Sequence, residues 1–150
     1  MSVVVTGSPL GPFADAVLRR LLDTPAVTAL VGTRIKAATK EGARTAPPYI
    51  TAERRTLNTG AVAMGCDGGE GEVWLDVWSE KNGTHEVHDV LSAIRAALPR
   101  DLVLEMPGYR MFGGSLHLEE ESVFADFDTD MPQRSLMHGQ VAVVADLEAV

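Results

Sequence analysis

Two consecutive stretches decide the fold: Glu72-Val-Trp-Leu-Asp-Val-Trp-Ser79 and, after Glu80 and Lys81, Asn82-Gly-Thr-His-Glu-Val-His-Asp-Val-Leu-Ser-Ala-Ile-Arg-Ala-Ala-Leu98. In the first, Val73, Leu75 and Val77 alternate with Trp74, Asp76 and Trp78. Period-two alternation is the signature of a strand, and the two Trp on the second side suggest that both faces are covered. In the second, Val87, Val90, Leu91, Ile94, Ala97 and Leu98 recur at helical spacing. Gly83 or Thr84 can cap this helix, Glu86 and Asp89 suit its positive end, and Pro99 stops it. An aliphatic strand face leading into an amphipathic helix predicts an α+β fold.

Toward the N-terminus, Leu10, Phe13, Ala14, Val17, Leu18, Leu21 and Leu22 predict a helix over 10–23. Thr24 as N-cap, Pro25 at the first position and Gly32 at the end predict a second, short helix. Residues 34–36 read as a short extended segment and 37–46 as a loop. Pro47 and Pro48 force extended backbone before a strand at 49–52, at an edge or a strand start. Residues 54–71, with Gly60, Gly65, Gly68, Gly69 and Gly71, read as a long Gly-rich loop.

Toward the C-terminus, a short strand is expected at 102–104, a turn at 107–114 and alternating strand character over 115–127. A polar connection follows over 126–138, then a last strand at 141–145. The expectation is one α+β domain over 1–150. Its antiparallel or mixed β-sheet has two main helices packed on one face, with Leu18, Leu21, Leu75, Val77, Leu91 and Ile94 central in the core.

Length and composition agree. A chain of 150 residues with 45% hydrophobic residues supports one ordinary core without staples. The net charge of −8 is poorly suited to gripping nucleic acid, where affinity comes from cations on phosphates. The single cysteine, Cys66, cannot close an intramolecular disulfide. Met1–Thr6 lacks the basic and apolar regions of a signal peptide, and no apolar run approaches the length of a membrane helix.

Few residues suggest chemistry. His85, His88 and Asp89 share a helix face and could hold a divalent ion with His117 or Glu119, giving a small metal-dependent enzyme. The signature with a general base is missing, and a solvated helix face explains them more simply. Asp126, Asp128 and Asp130 open like a calcium loop, but Met131 and Met137 stand where Gly and Glu are needed. The glycines of 65–71 lack the Lys-Ser/Thr ending of a phosphate cradle, and Cys66 has no orienting partner motif. No catalytic residue, cofactor or metal is expected.

A series of motifs in order carries a family resemblance: Asp23-Thr-Pro-Ala-Val-Thr-Ala-Leu-Val-Gly-Thr-Arg-Ile35, Ala46-Pro-Pro-Tyr-Ile50, Val77-Trp78-Ser79, Ala93-Ile-Arg-Ala-Ala-Leu98 and His138-Gly139-Gln-Val-Ala-Val143. Across about residues 13–145 the chain resembles a family of tailed-phage and gene-transfer-agent proteins that includes tail terminators, or tail-completion proteins. Its Gly-rich stretch at 57–71 is longer than that family usually carries.

The resemblance implies a structural virion protein, assembled in the bacterial host cytoplasm and sited at the head-proximal end of the tail. It implies a homo-oligomeric, hexameric ring that caps the tail tube protein, ends its polymerisation and joins a head-side connector. A different head-tail adaptor is the neighbouring reading. Arg54, Arg55, Trp74, Trp78, Tyr109, Arg110 and Phe112 are the candidate interface residues, because Trp, Tyr and Arg dominate such contacts. Genome DNA would pass through without specific binding. Asp67, Glu70, Glu72 and Glu119 to Glu121 are the candidates for an acidic lumen.

Overall fold

The computed structural model describes residues 10–37, 46–58, 68–80, 84–127 and 135–150. In chain order they form α1 (Leu10–Leu22), α2 (Pro25–Val31), β1 (Ile35–Ala37), β2 (Tyr49–Asn58), β3 (Gly68–Ser79), α3 (His85–Ala97), β4 (Tyr109–Met111), β5 (His117–Phe127) and β6 (Ser135–Ala149). The fold is a mixed α+β domain. Six strands make one sheet in the order β1-β2-β3-β6-β4, with β5 also paired to β6. Only β1 and β2 run parallel; every other pairing is antiparallel.

The helix ends are held by both local and distant contacts. Arg20 Nε of α1 donates to the Ala97 carbonyl at 2.8 Å, satisfying one of the carbonyls that the end of α3 leaves open. Thr24 precedes α2 but does not cap it with its side chain; its hydroxyl donates back to the Arg20 carbonyl at 2.6 Å. Gly32 ends α2 at φ 61, a left-handed φ suited to glycine. Ser79 Oγ donates to Glu86 Oε1 at 2.6 Å, which ties the end of β3 to the first turn of α3.

Several sequence expectations shift. Both ends of the loop expected at 54–71 are strand, since β2 runs to Asn58 and β3 starts at Gly68; residues 59–67 lie outside the described residues. Pairing with neighbours overrides the glycine signal, and Gly71 is needed for close approach. A Cβ there would stand 2.8 Å from Leu147 Cδ1 and 3.3 Å from Phe13 Cδ1. The strand expected at 102–104 is absent; the extended pairing comes later, at β4 in the expected turn, because residues 109–111 lie beside the end of β6. The last strand is 15 residues long and takes in part of the expected polar connection. Cys66, Asp67, Asp128 and Asp130 lie outside the described residues.

Phe13, Leu21, Ile50, Val73, Leu75, Val77, Leu91, Ile94 and Leu147 are at most 2% exposed and form the core. Each such side chain contributes about 1.5–3 kcal/mol on leaving water. Leu18 is only half-buried against this cluster. Phe13 of α1 lies over Gly71, and Val87 and Leu91 of α3 lie over Gly139.

Urea unfolding of two variants tests this packing. Leu91→Ala should lose about 2–5 kcal/mol through the cavity it leaves. Gly139→Ala should lose about 1–3 kcal/mol, because its Cβ collides with Val87 and crowds Leu91. A midpoint unchanged in either variant, at constant slope, would refute the packing described.

Candidate interaction surface

Alternation along β3 sends Val73, Leu75 and Val77 into the core and Trp74, Asp76 and Trp78 to the opposite face. Strand register then aligns a row of rings across four neighbouring strands. Tyr49 of β2 is opposite Trp78 of β3, Trp78 is opposite His138 of β6, and His138 is opposite Phe124 of β5. The Trp78 and His138 rings stack at 3.9 Å, with planes 16° apart. Tyr49 stacks more loosely on Trp78 at 6.2 Å, and Phe124 tilts against His138 at 4.6 Å. Such cross-strand aromatic pairs stabilise a sheet and hold its register.

The adjacent row is polar. His138 Nε2 donates to Asp76 Oδ1 at 2.7 Å, and Gln140 Nε2 donates to the same oxygen at 3.0 Å. Asp76 and His138 are both 7% exposed, so these bonds replace most of the water that their polar groups lose. Trp78 remains half-buried and Phe124 is 41% exposed. The row is thus an aromatic patch with an exposed outer end.

Charge on this face is unbalanced. Among the described side chains, register puts Glu53, Glu70, Glu72, Asp76, Glu119, Asp146 and Glu148 on it, with Lys36 and Arg110. Trp74 Nε1 donates to Glu72, and Arg110 pairs with the buried Glu148.

The remaining candidates scatter. Tyr109 is buried in the core cluster, where it supports the fold. Phe112 is 37% exposed just past β4. Arg54 and Arg55 sit on β2, with side chains outside the described residues. His85, His88 and Asp89 are exposed on α3. Among the described residues, no group of three or more His, Cys, Asp and Glu is arranged to hold a metal. No described helix is long and apolar enough to cross a membrane. Sequence reasoning missed Tyr49, Phe124 and His138; their ring types were visible, but only the strand register places them in one row.

His117 on β5 shares the acidic face. Its Nδ1 donates to the Ser115 carbonyl at 2.7 Å, and its Nε2 lies 2.8 Å from Glu119 Oε1. The Ser115 bond, then Glu119 and Glu70, raise its pKa above the ordinary 6.5, against a smaller opposing effect of burial. Protonation is therefore favoured in the folded chain. Its contribution to stability is full below pH 6.5 and is lost as pH rises through the raised value. An NMR titration should find the His117 midpoint above 6.5 and lower in Glu119→Gln. A midpoint at or below 6.5 would contradict the geometry.

A chain in a solved structure of the "virion of native gene transfer agent (GTA) particle" is similar, at TM-score 0.76 and 21% identity, covering 96% of this chain and 100% of that one. A second solved chain is similar at TM-score 0.54 and 12% identity, over 91% of this chain and 96% of its own. At these identities both show the fold alone. Among curated proteins no relative matches. The family model for tail completion protein gp17 matches residues 15–136, so the chain belongs to that family of virion tail proteins.

Proposed function

We propose that this chain is a tail terminator: a structural subunit that forms a closed, hexameric ring at the head-proximal end of the tail. The ring caps the tail tube, ends its polymerisation and presents a surface to the head-side connector. Membership of the tail completion family is the observation that carries this reading. In this reading α1 and α3 cover one face of the sheet, which Phe13 over Gly71 and Val87 over Gly139 support. The other face, with Trp78, Phe124 and the carboxylates around them, is then left for neighbours and for the channel.

In this reading the acidic face turns toward the ring axis. Duplex DNA leaving the particle meets like charge and slides, where a basic lining would bind phosphates and slow it. Trp78, Phe124 and Phe112 serve at contacts between subunits or with the tube. The chain performs no chemistry of its own.

Light scattering at micromolar concentration should give a mass near six subunits, alone or with tube protein. Adding the chain to polymerising tube protein should shorten the tubes seen by electron microscopy. A strict monomer in both conditions, with tube lengths unchanged, would defeat the proposal. Phe124→Ala should leave the melting temperature within about 2–4 °C, as expected for a partly exposed side chain. It should nevertheless weaken assembly; an unchanged assembly would remove Phe124 from the contact.

A further inference from the structure

Each ring nitrogen of His117 faces an acceptor. Nδ1 lies 2.7 Å from the Ser115 carbonyl oxygen, and Nε2 lies 2.8 Å from Glu119 Oε1. A neutral imidazole has one N–H and one bare lone pair, so only the imidazolium donates to both. The Ser115 end of this clamp is fixed: its Oγ donates to the Phe112 carbonyl at 2.6 Å and accepts from the Asp146 N–H at 3.1 Å. Further carboxylates surround the imidazole. By register, Glu72 of β3 and His117 are both opposite Val144 of β6, and in the next row Glu70 of β3 is opposite Asp146 of β6. One row beyond, Arg110 of β4 offsets Glu148 of β6. On the other side, Glu53 of β2 lies in the row of Glu119, and Lys36 stands across three strands, on β1. Losing the His117 proton therefore removes a cation from among Glu70, Glu72, Glu119 and Asp146 and leaves the carboxylates in place.

We propose that closing the ring takes up a proton at His117, so that the subunits assemble more tightly as pH falls. The inference rests on the ring reading above, in which the acidic faces turn toward one axis. There each face adds its carboxylates to the field at its neighbours' His117. An added negative field favours the imidazolium, so the assembled subunit holds the proton to higher pH than the free one. A proton held more firmly in one state stabilises that state wherever the proton is bound. The gain in assembly is full below the midpoint of the free subunit and is lost as pH rises through the midpoint of the assembled one. The field acts between faces through solvent, so salt screens it within about 10 Å at 0.1 M and weakens the coupling.

Light scattering across pH at low salt tests it. The wild type should assemble roughly threefold to tenfold more tightly at about pH 6 than at about pH 8.5, and the difference should shrink at high salt. Calorimetry in two buffers of different ionisation enthalpy should find protons taken up on assembly. His117→Gln, checked for folding by circular dichroism, keeps polar groups at the site but cannot take the charge. It should lose the pH dependence, although His85, His88 and His138 remain to titrate. Wild-type assembly of equal strength across this range overturns the proposal and leaves the ring reading standing. So does a dependence that persists in His117→Gln, because it belongs to another group. A wild type that assembles at no pH overturns both. Where His117→Gln fails to fold, Glu119→Gln decides: with this exposed carboxylate gone, the dependence should move to lower pH, and an unmoved one overturns the proposal.

Discussion

The structure hangs on one strand. β6 pairs with β3 along twelve residues of that strand and, on its other edge, with both β5 and β4. Val141, Val143, Ala145 and Leu147 on it are buried in the core, while His138 and Gln140 alternate to the other face. A central strand must satisfy ladder bonds on both sides and place side chains on both faces. A slip of one residue would exchange the faces and put His138 where Gly139 admits Val87 and Leu91. Gly139 therefore fixes the register as firmly as any large residue in the core.

The sequence announced the elements that have a period of their own. The alternation of Val73, Leu75 and Val77 and the stripe from Val87 to Ala97 depend on nothing distant, and both read correctly. The ends of the strands do not behave this way. Gly68, Gly69 and Gly71 carry the local signal of a loop, yet they are strand because β6 lies alongside and Leu147 needs the space at Gly71. β4 is three residues whose pairing comes from Tyr109 opposite Ala149. Such pairings are set by contacts far along the chain, and no local window contains them.

The same distinction governs the candidate surface. Trp74 and Trp78 stood out as a pair on one strand face, and the structure keeps them there. It separates their company: Trp74 is held by Glu72, while Trp78 joins Tyr49, His138 and Phe124. Tyr109 shows the limit of reasoning from residue type. Its ring is as apt for an interface as that of Trp78, but it sits on the core side of β4, with Arg110 on the other. Parity within a strand is legible only once the strand's ends are known.

The chemistry of the acidic face explains how so many carboxylates coexist on one sheet. Self-repulsion among like charges opposes folding, and the usual remedy is a cation beside each anion. Here the donors are mostly neutral or titratable. Asp76 accepts from His138 and Gln140, Glu72 from Trp74, Glu119 sits beside His117, and Glu148 is paired with Arg110. A neutral donor satisfies the oxygen without cancelling its charge. The carboxylates are thereby fixed in place and the face stays negative to whatever approaches it. His117 responds to acidity, since its raised pKa makes it a cation as pH falls. A surface meant only to stay dissolved has no need to hold its charges in fixed positions. On the ring reading proposed above, a face that repels a phosphate backbone along a defined path would gain from doing so, because rigid charges need not reorganise as the backbone moves past.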